Sequence, residues 1–141
     1  MDLNYYQTLI AVADDCPVAA SEVPRPRGGR PTVAVVQYEL LVADPYRYTQ
    51  EDVLFESWLA RRDGQWSPAE VARLREEFFA RPQACLRSSP LPKRHGWGLL
   101  FDDRGRIALC AMESDEYARL ISAVPPPLKV LKALRTRRPR P

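Results

Sequence analysis

The groups able to do chemistry crowd into eleven residues, Cys85 to His95. They are a thiol (Cys85), two hydroxyls (Ser88 and Ser89) and four side chains that are or can become cationic: Arg87, Lys93, Arg94 and His95. Guanidinium and ammonium groups hold a phosphate or carboxylate through charge-assisted hydrogen bonds, so this segment reads first as an anion-binding loop. Nearby cations also lower a thiol pKa, and Cys85 with His95 as base and Asp14, Asp15 or Glu39 as orienting acid makes a drawable nucleophilic arrangement. Buried structural cysteine is the commoner state. An enzyme using Cys85 or a carboxylate therefore stands behind a binding module for a small anionic molecule.

Other groups bid more weakly. Asp14 and Asp15, with Glu39 and Glu113, compose an oxygen-rich set, although Asp-Asp before Cys-Pro more often ends a strand by bonding nearby backbone. Gln37 and Glu39 sit on the polar side of an expected strand, where they either face solvent or line a pocket with the 85–95 loop. Tyr46 and Tyr48 flank Arg47 just before a helix start, a place where aromatics wall a pocket or merely pack. A single histidine excludes any multi-histidine metal site, and no spacing implies a cofactor. Gly28-Gly29 lacks the spacing of a phosphate-binding glycine loop and is a turn.

Charge is unevenly spread. Lys129 to Pro141 holds six cations (Lys129, Lys132, Arg135, Arg137, Arg138, Arg140) and no acid, leaving 15 cations against 18 acids in the remainder. If residues 128–135 form a helix, Leu128, Leu131 and Leu134 dock on the body while Lys129, Lys132 and Arg135 face outward. That would suit phosphates of nucleic acid or an acidic protein partner. With no base-reading motif, nucleic acid is not the favoured partner.

The elements that must position these groups read as follows. Residues 4–13 and 32–42 are expected strands, the second with Val36, Tyr38, Leu40 and Val42 on one face. Residues 19–31 mix three arginines with Pro24, Pro26, Gly28, Gly29 and Pro31, which makes a loop or extended arm. Thr49 and Ser67 open two helices, the second through a capping box with Pro68 at its first position. Residues 83–96 are a long loop. Trp97–Phe101 and Arg106–Met112 flank a hairpin turn ending in Gly105, and Ser114 caps a short helix. The sum is an α+β domain over residues 1–124, in the order β-β-α-α-β-β-α, with about three helices on a four-stranded, mostly antiparallel sheet. Residues 125–141 follow as a Pro-rich spacer and basic tail.

With 141 residues the chain fits one domain large enough for its own core. Three cysteines without a CxxC pair, and no apolar run of signal or membrane length, place it by default in the cytosol, without membrane contact, as a monomer or homodimer.

Several stretches taken together resemble a family of short, uncharacterised bacterial proteins of the domain-of-unknown-function kind. They include Asn4-Tyr5-Tyr6, Val12-Ala13-Asp14-Asp15-Cys16-Pro17, Thr32-Val33-Ala34-Val35, Gln37-Tyr38-Glu39, Pro45-Tyr46-Arg47-Tyr48-Thr49, Cys85-Leu86-Arg87-Ser88-Ser89-Pro90-Leu91 and Gly96-Trp97-Gly98. His95, where the family suggests a tyrosine, and Pro125-Pro126-Pro127 depart from it. The resemblance implies a single domain of bacterial origin and brings no activity with it.

Overall fold

A computed structural model describes residues 2–136. A short apolar strand sets the architecture. β1 (Thr8–Ala11) is buried along its whole length, which requires a layer on each face and a strand on each edge. Its edges are taken by β2 (Trp97–Phe101), antiparallel, and β4 (Lys129–Lys132), parallel. β3 (Ile107–Ala111) pairs antiparallel with β2 and completes the order β3-β2-β1-β4.

Register then divides the core. Ile10 lies between Leu99 and Leu131, and Leu9 between Leu100 and Val130, so alternate residues serve opposite faces. The first face, with Ile10, Leu99, Phe101 and Ile107, packs against Ala34, Leu41, Val53, Leu86 and Leu91. The second, with Leu9, Leu100 and Cys110, packs against Tyr117 and Leu120. Tyr117 crosses the sheet here: its hydroxyl accepts the Val12 amide at 3.0 Å, and its ring lies where a Cβ on Gly98 would stand 3.1 Å from it.

Five α-helices occur among the described residues: α1 (Val33–Ala43), α2 (Gln50–Ala60), α3 (Pro68–Phe79), α4 (Pro90–Arg94) and α5 (Asp115–Ser122). Ser67 closes the capping box its sequence predicts, and Thr49, expected as an N-cap, closes a reciprocal box with Asp52 as well. α3 packs on α2 through Phe55, Leu74 and Phe78, with Arg75 paired to Asp52 at 3.0 Å.

The α+β class and four-stranded sheet stand, but the membership and direction of the strands need correcting. Residues 32–42, expected as a strand, form α1. Their β-branched residues favour extended backbone, yet Thr32 caps the Val35 amide and Ala34, Gln37 and Leu41 are buried at helical spacing. Polarity does not follow burial along this helix, with Gln37 buried and Val42 exposed, and that blurs the helical period. Residues 128–135, expected as a helix, instead supply β4. The open edge of β1 outweighs the local preference, with Lys129 N donating to Gln7 O at 3.0 Å and Ala133 N to Ala11 O at 2.9 Å. The sheet is therefore mixed rather than mostly antiparallel, the helices number five rather than three, and the order is β-α-α-α-α-β-β-α-β. Residues 83–96 are not wholly loop either, since they hold a 3-10 turn at Leu86–Ser88 and then α4.

Because β4 covers β1, truncation after Pro127 removes the packing of Val130, Leu131 and Ala133 together with an edge of hydrogen bonds. The expected loss of stability is about 3 kcal/mol or more, read from the urea midpoint, with increased aggregation from the bared edge.

Candidate functional site

The 85–95 segment lies across the end of the helical layer, and two buried glutamines fix its first half. Gln50, at the start of α2, accepts the Leu86 amide at 2.8 Å and donates to the Leu3 carbonyl. Gln37, in α1, accepts from the Ser89 hydroxyl at 2.6 Å and lies 3.5 Å from that of Ser57. Ser89 also caps the Leu91 amide at 3.2 Å. Ser89 and Gln37 are thus structural partners in the core, 4% and 3% exposed, rather than groups presented to a ligand.

The remaining members of the segment separate. Arg87 turns toward the sheet edge, where its Nε donates to the Lys132 carbonyl at 2.8 Å and its own carbonyl accepts the Leu134 amide at 2.9 Å. Cys85 is half-buried beside Tyr5; burial and the neighbouring thiol push the Tyr5 phenol up to about 12. Ser88 ends the 3-10 turn, its amide on the Cys85 carbonyl at 3.0 Å. Lys93, Arg94 and His95 lie at the other end, in the last turn and cap of α4.

Glu39 does not join them. It is exposed on α1 and lines a shallow groove with Pro31, Leu40, Asp44 and Tyr48. Asp14 bonds Lys132 and Arg135, which hold its carboxyl below the ordinary value, and Asp15 accepts the Thr136 amide at 3.2 Å. Glu113 accepts from Ser21 at 2.9 Å. The four carboxylates singled out in the sequence are thus spread over separate contacts. Two of the three described tail cations pair with Asp14, while Lys129 stays exposed at the start of β4. Arg137, Arg138 and Arg140 lie outside the described residues.

What His95 does meet is the basic arm. The Glu22 amide donates to the His95 carbonyl at 2.9 Å, and the Trp97 indole donates to the Glu22 carbonyl at 2.9 Å. From that anchor the arm runs through Pro24 and Pro26, each with its φ fixed by the ring. It reverses at Gly28-Gly29, both left-handed (φ 59° and 76°), where Arg27 and Arg30 exchange backbone hydrogen bonds. A cleft of about 860 Å³ opens between arm and α4, lined by Glu22, Val23, Pro24, Arg25, Pro26, Arg27 and His95. Burial lowers the His95 pKa, opposed by the Glu22 charge and reinforced by Arg94, so the imidazole is neutral near pH 7. Arg25 and Arg27 were legible only as part of a Pro- and Gly-rich arm. Their tertiary neighbour His95 lies about seventy positions away, and no local spacing announces it.

Comparison with known families settles membership. A family model, the family of unknown function DUF6157, matches residues 1–139. The chain belongs to DUF6157. No curated protein and no solved structure matches it. Membership in DUF6157 agrees with the resemblance read from the sequence and attaches no activity to the cleft.

The Gln37–Ser89 contact makes a separate claim on stability. Ser89→Ala leaves the Gln37 amide oxygen buried without its donor, with an expected cost of about 1–3 kcal/mol measured by urea denaturation. Ser88→Ala, one residue away and outside that network, is expected to stay within about 0.5 kcal/mol.

Proposed function

We propose that the protein binds a small anionic ligand in the cleft between the arginine arm and His95. The observation that carries this reading is the composition of the cleft wall: Arg25, Arg27 and the titratable His95 face a single acid, Glu22. The volume lies in the range usual for small-molecule sites. Two guanidiniums give paired donors for a phosphate or carboxylate, and His95 adds a third when protonated. This keeps the anion-binding reading of the 85–95 segment and moves its centre to the segment's C-terminal end, with Lys93 and Arg94 adding positive field beside the cleft. Three free cysteines suit a reducing compartment, and a cytosolic setting goes with the proposal. No helix among the described residues is long and apolar enough to cross a membrane.

The test is calorimetric titration at low ionic strength with pyrophosphate, citrate and a nucleoside triphosphate. Saturable one-to-one binding of at least one anion is expected, lost in the Arg25→Ala/Arg27→Ala double variant and kept in Lys129→Ala. Absence of saturable binding, or full retention in the double variant, refutes the site.

The pH dependence has a fixed sign. An anion favours protonated His95, so binding raises a pKa that burial has lowered, and affinity strengthens as pH falls below the ordinary 6.5. Glu22 and Arg94 are the charged groups that act on the histidine, the first opposing and the second reinforcing the effect of burial. His95→Gln is expected to flatten the profile over that interval for any ligand whose own charge is constant there.

A further inference from the structure

The second face of the sheet is roofed by one eight-residue helix, α5, and this layer stops before the strands do. Where it stops, a hollow of about 410 Å³ remains, with Leu100, Pro127 and Leu128 as apolar walls and Tyr46, Gln7, Asp102 and Phe101, whose ring belongs to the first face, at its margin. It has no residue in common with the arginine cleft.

Two features distinguish this hollow. Its one charged lining residue is a carboxylate, and that carboxylate is held in place: Asp102 Oδ1 accepts the amides of Arg104 and Arg106 at 2.9 Å each. Glu116 adds negative charge within electrostatic reach of the Tyr46 hydroxyl, which burial, Glu116 and Asp102 together keep protonated. The second feature is backbone. Gln7 (φ 43°) and Tyr46 (φ 60°) are the non-glycine residues with left-handed backbone among the described ones, and both line this hollow. Side chains disfavour that conformation, and it persists where surroundings over-determine it, as at active sites, ligand clamps and switch regions. Here Gln7 N donates to Asp102 O at 2.9 Å, Gln7 O accepts from Lys129 N at 3.0 Å, and Tyr46 N donates to Ile107 O at 2.9 Å.

We propose that this hollow binds an ammonium group carried on a short apolar body, with the cation between the Asp102 carboxylate and the Tyr46 ring. The apolar body would rest on Leu100 and Leu128, and the aromatic face and carboxylate attract the same charge from two sides. A neutral molecule of the same shape gains only the apolar contact, and an anion meets like charge.

The probes are butyltrimethylammonium, butylamine, neutral butanol and Nα-acetyl-lysine amide, titrated calorimetrically into the full chain. At least one cation is expected to bind saturably, with butanol about tenfold weaker or worse. If the lysine amide is the tightest, the natural ligand is a lysyl side chain; if a free amine or quaternary ammonium is, it is a small metabolite. Asp102→Asn keeps the acceptor for both turn amides and removes the charge, so it should retain the thermal midpoint while losing about tenfold in affinity. Leu128→Trp, which fills the hollow, should abolish binding whatever the behaviour of Asp102→Asn. Equal affinity for butanol, unchanged binding in folded Asp102→Asn, persistence in Leu128→Trp, or no saturable binding by any cation overturns the proposal.

Discussion

Two primary amides in an apolar interior decide where the rest of this molecule can sit. A buried glutamine must satisfy donor and acceptor together, because either one left bare costs more than the bond contributes when made. Gln50 meets that demand by taking the Leu86 amide and giving to the Leu3 carbonyl, which fastens the approach to β1, the start of α2 and the turn at residues 86–88 to one point. Gln37 does the same for α1, Ser57 of α2 and the start of α4. With these amides placed, Pro90–Arg94 can run only toward the arm, and His95 arrives beside Glu22.

The same arrangement explains why a segment that looks like one site is divided. Its middle is spent on the core through Ser89, its front on the sheet edge through Arg87, and its end faces solvent beside Arg25 and Arg27. Arg87 serves the edge directly: by bonding the Lys132 carbonyl and the Leu134 amide it covers groups at and just past the end of β4 that would otherwise invite another strand. Asp14 then pairs with both Lys132 and Arg135, so one positive charge of that region's surplus is offset within the fold.

What could be read from residue order was whatever local chemistry enforces. The Thr49 cap, the Ser67 capping box, the Gly105 turn and the Ser114 cap are each settled within four or five residues, and each lies where its spacing places it. α1 and β4 depart from their local sequence patterns for complementary reasons. Val33, Val35, Val36 and Val42 carry strong strand preference but lie in a helix where Gln37 is buried and Val42 exposed, so amphipathic contrast vanishes. Leu128, Leu131 and Leu134 have helical spacing, yet a vacant ladder beside β1 offers more than an isolated short helix can. The candidate site follows the same division: His95 is visible in the sequence, while its place in one cleft with Arg25 and Arg27 rests on long-range packing that no pattern within the arm reveals.

The position of β4 also bears on the order in which the molecule can be built. β1 emerges early, but its neighbours come from residues 97–101 and 129–132, so its apolar run has neither partner while the three longest helices are being made. Closing such distant pairings costs chain entropy before any contact returns it, which slows folding and prolongs exposure of the unpaired strand. Synthesis proceeds from the N-terminus, so that exposure falls on the nascent chain. Thr8–Ala11 is then the stretch with most need of a chaperone's cover, and the last strand to dock ends that need.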